Sequence, residues 1–152
     1  MGAMTPAPCF LVPQAQPMQM RLEALETSMV TLPQVDMPTV HHYSDGLFAR
    51  ELHIPAGTVL TGAVHKYRNL NVLLSGEMSV LTEQGIQRVT APFVVVSPPG
   101  TKRIAYAHTD CIWMTIHATD ETDPDTVRAQ FTVSTYAEFL ALKSQGSLTW
   151  SG

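Results

Sequence analysis

The sequence predicts an all-β barrel or sandwich with one short helix at each end, on three observations. Short apolar runs follow one another through the middle of the chain, separated by turn residues and with no helical period between them. Eleven prolines and nine glycines interrupt the 152 residues, which disfavours long surface helices. Charged residues are 14% and hydrophobic residues 45% of the chain, a composition that excludes global disorder and fits a single domain with a well-filled core.

In chain order, residues 1–18 carry Pro6, Pro8, Pro13 and Pro17 and have no period that could bury a face, so an irregular tail is expected. Residues 19–45 read as a helix and an arm. Met18, Leu22, Leu25 and Met29 share one helical stripe, Pro33 forbids continuation, and the expected role of the stripe is a lid on the domain's own core. The barrel is expected over 46–118. Leu47–Ile54 is closed by Pro55-Ala56-Gly57, Thr58–His65 follows, and Leu70–Leu74 is closed by Ser75-Gly76. Met78–Thr82 and Ile86–Thr90 flank Glu83-Gln84-Gly85, Phe93–Ser97 stops at Pro98-Pro99-Gly100, and Arg103–Ala107 and Cys111–His117 form a last hairpin. Residues 119–152 are read as an acidic linker, a last strand on the alternation Val127, Ala129, Phe131, Val133, and a helix. The box Thr135-x-x-Glu138 starts that helix, and Gly146 ends it. The run Asp120, Glu121, Asp123, Asp125 lacks the glycine and distant glutamate of an EF-hand loop, so it is assigned to solvent rather than calcium.

Charge and composition exclude several functions. The net charge of -4 argues against nucleic acid, which requires a large basic surplus. Residues 61–105 are locally basic, with Lys66, Arg68, Arg88, Lys102 and Arg103 against Glu77 and Glu83. No run approaches the roughly 20 apolar residues of a membrane span. The apolar Cys9–Val12 run is closed by Pro13 and has no basic flank, so no secretory signal is read, and Pro6 spoils a myristoylation motif. Cys9 and Cys111 make neither a disulfide framework nor a zinc motif, and the expected compartment is the cytoplasm. No nucleophile elbow, phosphate loop, dinucleotide fingerprint or paired-carboxylate motif occurs.

The run Gly57-x5-Ala63-x-His65-x3-Asn69-x6-Gly76, followed by Pro98-x-Gly100-x2-Arg103, resembles the two signature motifs of the cupin superfamily. The resemblance covers about residues 46–118 and implies a small cupin-type double-stranded β-helix, or jelly-roll, barrel. With its flanking segments, and with His41-His42-Tyr43, His65-Lys66 and Tyr106–Asp110, the chain looks like the small single-domain cupins of tailed bacteriophages. That resemblance implies the bacterial host cytoplasm. It also implies a homo-oligomer formed by sheet or edge association, and the Met-rich helix stripe offers an apolar face as well.

In metal-binding cupins three His and one Glu converge on an ion. The corresponding positions here are Ala63, His65, Asn69 and Arg103. Ala63 has no donor, Asn69 offers a neutral oxygen, and Arg103 places a permanent cation where the metal would sit. The expectation is therefore no metal cofactor and a small anionic ligand held by His65, Tyr67, Asn69 and Arg103, since a guanidinium binds carboxylate or phosphate through a bidentate fork. An ion pair from Arg103 to Glu51 or Glu77 is the competing use of that charge. Lys66, Arg68 and Lys102 are assigned to the solvated rim, and His41-His42 to capping or interface contacts in the arm. Two other functions stay open. One is a metal-dependent cupin oxygenase, isomerase or lyase, with one divalent transition metal on a rewired set such as His65, His108 and His117. The other is a structural or interaction protein of the virion or of host takeover.

Overall fold

Two antiparallel sheets enclose the core. The computed structural model describes residues 17–82 and 84–148, so Cys9, Trp150 and nearly all of the proline-rich tail lie outside the described residues. The larger sheet contains β1 (Thr39–Ser44), β2 (Leu47–Ile54), β5 (Asn69–Ser75), β8 (Phe93–Ser97) and β10 (Cys111–Ala118), in the order β1-β2-β10-β5-β8. The smaller contains β3 (Val59–Thr61), β6 (Glu77–Thr82), β7 (Gly85–Thr90) and β9 (Ile104–Ala107), in the order β3-β9-β6-β7. β4 (Val64–His65) pairs only with β11 (Thr132–Val133). This is the cupin-type jelly roll: all-antiparallel, with strands distant in sequence side by side.

Alternation decides which side chains meet inside. Leu52 and Ile54 of β2, Leu73 of β5 and Cys111 of β10 pack against Met78 and Val80 of β6 and Ala107 of β9, with Phe93 and Trp113 partly buried beside them. The Cys111 thiol is buried in this cluster, its Sγ 3.3 Å from the Glu77 carbonyl oxygen, and burial raises its pKa. It is a packing residue. Gly76 turns the chain between β5 and β6 at φ +90°, where a Cβ would lie 2.2 Å from the Asp110 carbonyl oxygen. No other residue fits there.

Strand boundaries agree closely with the alternation, and four elements depart from it. The run Thr58–His65 is two strands, broken at Gly62-Ala63, as the chain leaves the smaller sheet to pair with β11. The expected arm contains β1, which pairs with β2 along its whole length. The expected last strand is instead α2 (Pro124–Phe131). Asp123 caps that helix by accepting from Thr126 N, and Pro124 occupies its first turn, so the acidic run starts a helix. Val127 and Phe131, four apart, are the buried pair. The C-terminal helix, α3 (Tyr136–Ser144), begins as expected with Thr135 accepting from Glu138 N, and Phe139 docks on Gly100. The described residues thus contain one helix before the barrel and two after it.

The first helix, α1 (Met18–Met29), buries only Leu22, at 3% exposure. Leu25, on the expected stripe, is 45% exposed. Leu22→Ala should cost about 2–3 kcal/mol in chemical denaturation and Leu25→Ala less than about 0.5. Equal losses would restore the full stripe. No helix among the described residues is long and apolar enough to cross a membrane.

Candidate functional site

The inward face of the larger sheet changes character along its strands. Below lies the apolar row Leu52, Trp113, Leu73, Phe93; above it the cross-strand partners are Arg50, Thr115, Asn71 and Val95. The next row carries Phe48 opposite His117, and Asn69 opposite Ser97. Arg50 takes an inward position between Phe48 and Leu52, yet it is exposed while both of them are buried. The barrel is therefore open to solvent at this end.

Polar atoms converge there from five segments: β4, β5, β8, β10 and the loop before β9. Arg103, in phase with the inward Ala105 and Ala107, donates from Nη2 to Ser97 Oγ at 2.9 Å. Asn71 Nδ2 also donates to Ser97 Oγ, at 3.1 Å, and Asn71 Oδ1 accepts from Thr115 Oγ1 at 2.9 Å. The backbone of His65 is tied to the loop before Arg103, its N–H donating to the Thr101 carbonyl and its carbonyl accepting from Gly100 N. The His65 ring stacks on that of His117, with centroids 5.9 Å apart, and His117 stacks on Phe131 at 4.4 Å. Phe48, Val127 and Phe131 form a second buried cluster that closes the wall.

Three of these side chains are incompletely satisfied. His65 Nδ1, Asn69 Nδ2 and Oδ1, and Arg103 Nε are buried and without hydrogen-bond partners among the described residues. Arg103 makes no ion pair among the described residues, because the carboxylates considered for it are engaged elsewhere. Glu51 bonds His42 and His53 on the outward face, and Glu77 pairs with Arg88. Burial, then the charges of Arg103 and Arg50, lowers the His65 pKa to about 4. Burial, then His65 and Arg50, lowers that of His117 to about 4 as well. At neutral pH the site holds two neutral imidazoles between two guanidinium groups.

Of the residues expected from the sequence, His65, Asn69 and Arg103 are brought together. Tyr67 stands one layer out, its ring edge-on to Phe131 at 6.1 Å. The rewired set fails at His108, whose Nε2 is 2.7 Å from Ser79 Oγ and whose ring abuts Tyr106. Ala107 points inward, so Ser79 and Tyr106 point outward and take His108 with them. Lys102 is no rim charge: it is 2% exposed and paired with Glu26 at 2.8 Å. Lys66 is partly buried and donates to the Ala129 carbonyl, while Arg68 is exposed as expected. His41 also leaves its assigned role, stacking on Phe48 at the mouth of the site. Sequence reasoning missed Arg50, Asn71, Ser97 and Thr115, although each is a polar residue at an inward position of an alternating strand.

A transition metal, which the cupin resemblance implies, does not fit these residues. The donors on offer are two imidazoles and a neutral amide, beside two fixed positive charges with no carboxylate among them. Among the described residues no group of three or more His, Cys, Asp or Glu is placed to hold a metal ion.

No protein-family model matches the chain, and no curated protein matches it. Solved structures do. A cupin domain from Bordetella pertussis is 14% identical, with a TM-score of 0.45 over 58% of this chain and 98% of that one. A double-stranded β-helix protein from Klebsiella pneumoniae is 13% identical, with a TM-score of 0.48 over 60% and 84%. KdgF from Halomonas sp. is 16% identical, with a TM-score of 0.49 over 62% and 90%. Similarity at this level says nothing about chemistry, and the fold stands on the sheet topology above.

Proposed function

We propose that this chain is a metal-independent cupin-type protein that binds a small anionic molecule, a carboxylate or a phosphate ester, in the open end of its barrel. The observation that carries the reading is the set of buried, unsatisfied polar atoms on His65, Asn69 and Arg103, with a guanidinium that no carboxylate among the described residues neutralises. A half-buried charge without a counter-charge is costly, and an anion is the partner that such a site lacks. The Arg103 guanidinium, anchored through Nη2 on Ser97, has donors left to face a carboxylate or phosphate. Asn69 offers both a donor and an acceptor, and His65 Nδ1 a third contact, so a ligand with a hydroxyl beside its charge suits the set. Arg50 lies on the same inward face and adds a second positive charge. Tyr67 and Phe131 supply an aromatic wall. The likeness to phage cupins supports placing this activity in the cytoplasm of an infected bacterium.

Thermal-shift screening of wild type and Arg103→Met against sugar phosphates, nucleotides and dicarboxylates tests the reading. At least one class should stabilise the wild type, by about 2.7 kcal/mol at a hundredfold excess over Kd. Arg103→Met should lose that shift while its own melting temperature holds or rises, because it removes a half-buried charge that no carboxylate among the described residues balances. A wild type that no anion shifts, together with a large loss of stability in the variant, would leave the site an internal structural element.

A further inference from the structure

We propose that the ligand of the barrel site carries two anionic groups several bonds apart, the inner one held by Arg103 and the outer one by Arg50 together with Arg128 of α2. The inference rests on the anion reading above and adds a second point of contact to it.

Three guanidinium groups come from three separate segments. Arg103 reaches inward from the loop before β9 and is anchored on Ser97 Oγ. Arg50 stands on β2, cross-strand from Thr115 on one side and from His41 on the other. Arg128 belongs to α2, between the buried Val127 and Phe131, and the Phe131 ring stacks on His117 at 4.4 Å. Burial first, and the Arg128 charge second, lowers the pKa of Arg50, so these two side chains share the mouth of the site. Arg50 likewise follows burial and one other charge in lowering both His65 and His117, so its charge is felt inside the pocket.

No carboxylate answers this cluster. None of the three arginines makes an ion pair among the described residues. The acids that precede α2 are engaged by backbone amides instead. Asp120 accepts from Gly46 N at 2.9 Å, Glu121 from Thr122 N and Asp123 N, and Asp123 from Thr126 N. A single exposed arginine needs only water. Three that converge on one pocket, one of them with a buried Nε that lacks a partner, repel one another and concentrate anions there, in a chain whose net charge is -4.

The spacing favours two anionic groups over one. Ser97 on β8, where Arg103 is anchored, and Arg50 on β2 are separated by β5 and β10, about 14 Å along the sheet at about 4.8 Å per strand. Between them Thr115 bonds Asn71 and Asn71 bonds Ser97, so the floor offers hydrogen-bonded neutral groups and no charge. A molecule with a charged group at each end and a neutral middle matches this arrangement. Its inner group meets Arg103 and Asn69, its middle lies along the His65 and His117 rings, and its outer group meets Arg50 and Arg128.

Isothermal titration calorimetry on the full chain tests this, at physiological salt so that long-range attraction is screened. The probes are two pairs, hexanoate with adipate and fructose monophosphate with fructose bisphosphate. The two-headed member of at least one pair should bind at least about tenfold more tightly than its partner, the effect of one good charge-assisted contact. A preference in the first pair assigns dicarboxylates, and one in the second assigns phosphate esters. Arg50→Gln/Arg128→Gln should bind both members of that pair alike, with a melting temperature that holds or rises because repulsion is relieved. Arg128→Gln alone, at an exposed helix position, should close part of the gap and keeps the test decisive if the double variant does not fold. Arg21→Gln/Lys143→Gln removes the same charge from exposed positions on α1 and α3 and should keep the full preference. Equal binding of both members by the wild type overturns the proposal and leaves the single-anion reading in place. So does a preference that survives in Arg50→Gln/Arg128→Gln or disappears in Arg21→Gln/Lys143→Gln. A wild type that binds no member of either pair overturns both.

Discussion

Glu26→Ala should destabilise the protein by about 3–5 kcal/mol, and Lys102→Met by about 1 kcal/mol or less, although the two changes break the same ion pair. The asymmetry comes from burial. Lys102 is 2% exposed and its ammonium meets Glu26 Oε2 at 2.8 Å, whereas Glu26 keeps about a third of its side-chain surface in water. Removing the carboxylate strands a charge in the interior; removing the ammonium leaves a carboxylate that water can reach. Burial works against the charge on Glu26, but hydrogen bonds from Lys102 and Thr61 outweigh it and hold the carboxyl below its usual range. The pair links α1 to the loop before β9, and Thr61 links it to β3. Urea denaturation of the two single variants would check this, and a larger loss in Lys102→Met would sink it.

That ion pair also explains why the first helix was only partly legible in the sequence. Met18, Leu22, Leu25 and Met29 look like a docking stripe, but the helix is held through Leu22, through Glu26 on Lys102 and Thr61, and through Glu23 on the backbone of Tyr136. Polar contacts between residues far apart in sequence leave no period. The barrel strands were readable because turn residues bound them and because one inward face alternates, as Phe48, Leu52 and Ile54 show. α2 was not, because Val127, Ala129, Phe131 and Val133 suit a strand while Val127 and Phe131 equally suit a helix. The capping Asp123 and Pro124 decide between them. β1 carries exposed residues on both faces, and its pairing with β2 gives it its conformation.

The candidate site divides in the same way. His65, Asn69 and Arg103 fall in a motif frame and so were visible. Arg50 and His117 meet them only through strand register, with Arg50 opposite Thr115 and His117 opposite Phe48. Inward parity was the available signal: a polar residue in the apolar alternation of a barrel strand faces the interior. His108 resembles His117 in type, and it is excluded because it follows an inward Ala107 and lies beside the outward Tyr106.

Acid should unfold this protein unusually early, and the two site histidines set the window. An unfolded histidine titrates near 6.5, whereas burial first, and neighbouring positive charges second, bring both His65 and His117 to about 4 in the folded chain. Between those values the unfolded chain binds protons that the native chain refuses, so stability rises with pH from about 4 to about 6.5 and is level above. Each residue contributes about 3 kcal/mol over that interval at about 1.36 kcal/mol per pKa unit. The carboxylates held low by partners, Glu26, Glu51, Glu77 and Asp123, lose their contributions lower on the pH scale. Denaturation midpoints from pH 4.5 to 7.5 should therefore fall steeply on the acid side of pH 6.5. His117→Phe keeps an aromatic ring against Phe131 and removes one titrating group, so it should flatten the profile by about half. A bound anion would supply the negative charge that the imidazoles lack, raise their pKa values and flatten the profile further. A midpoint independent of pH between 5 and 6.5, or an unchanged slope in His117→Phe, would show that the histidines do not govern it.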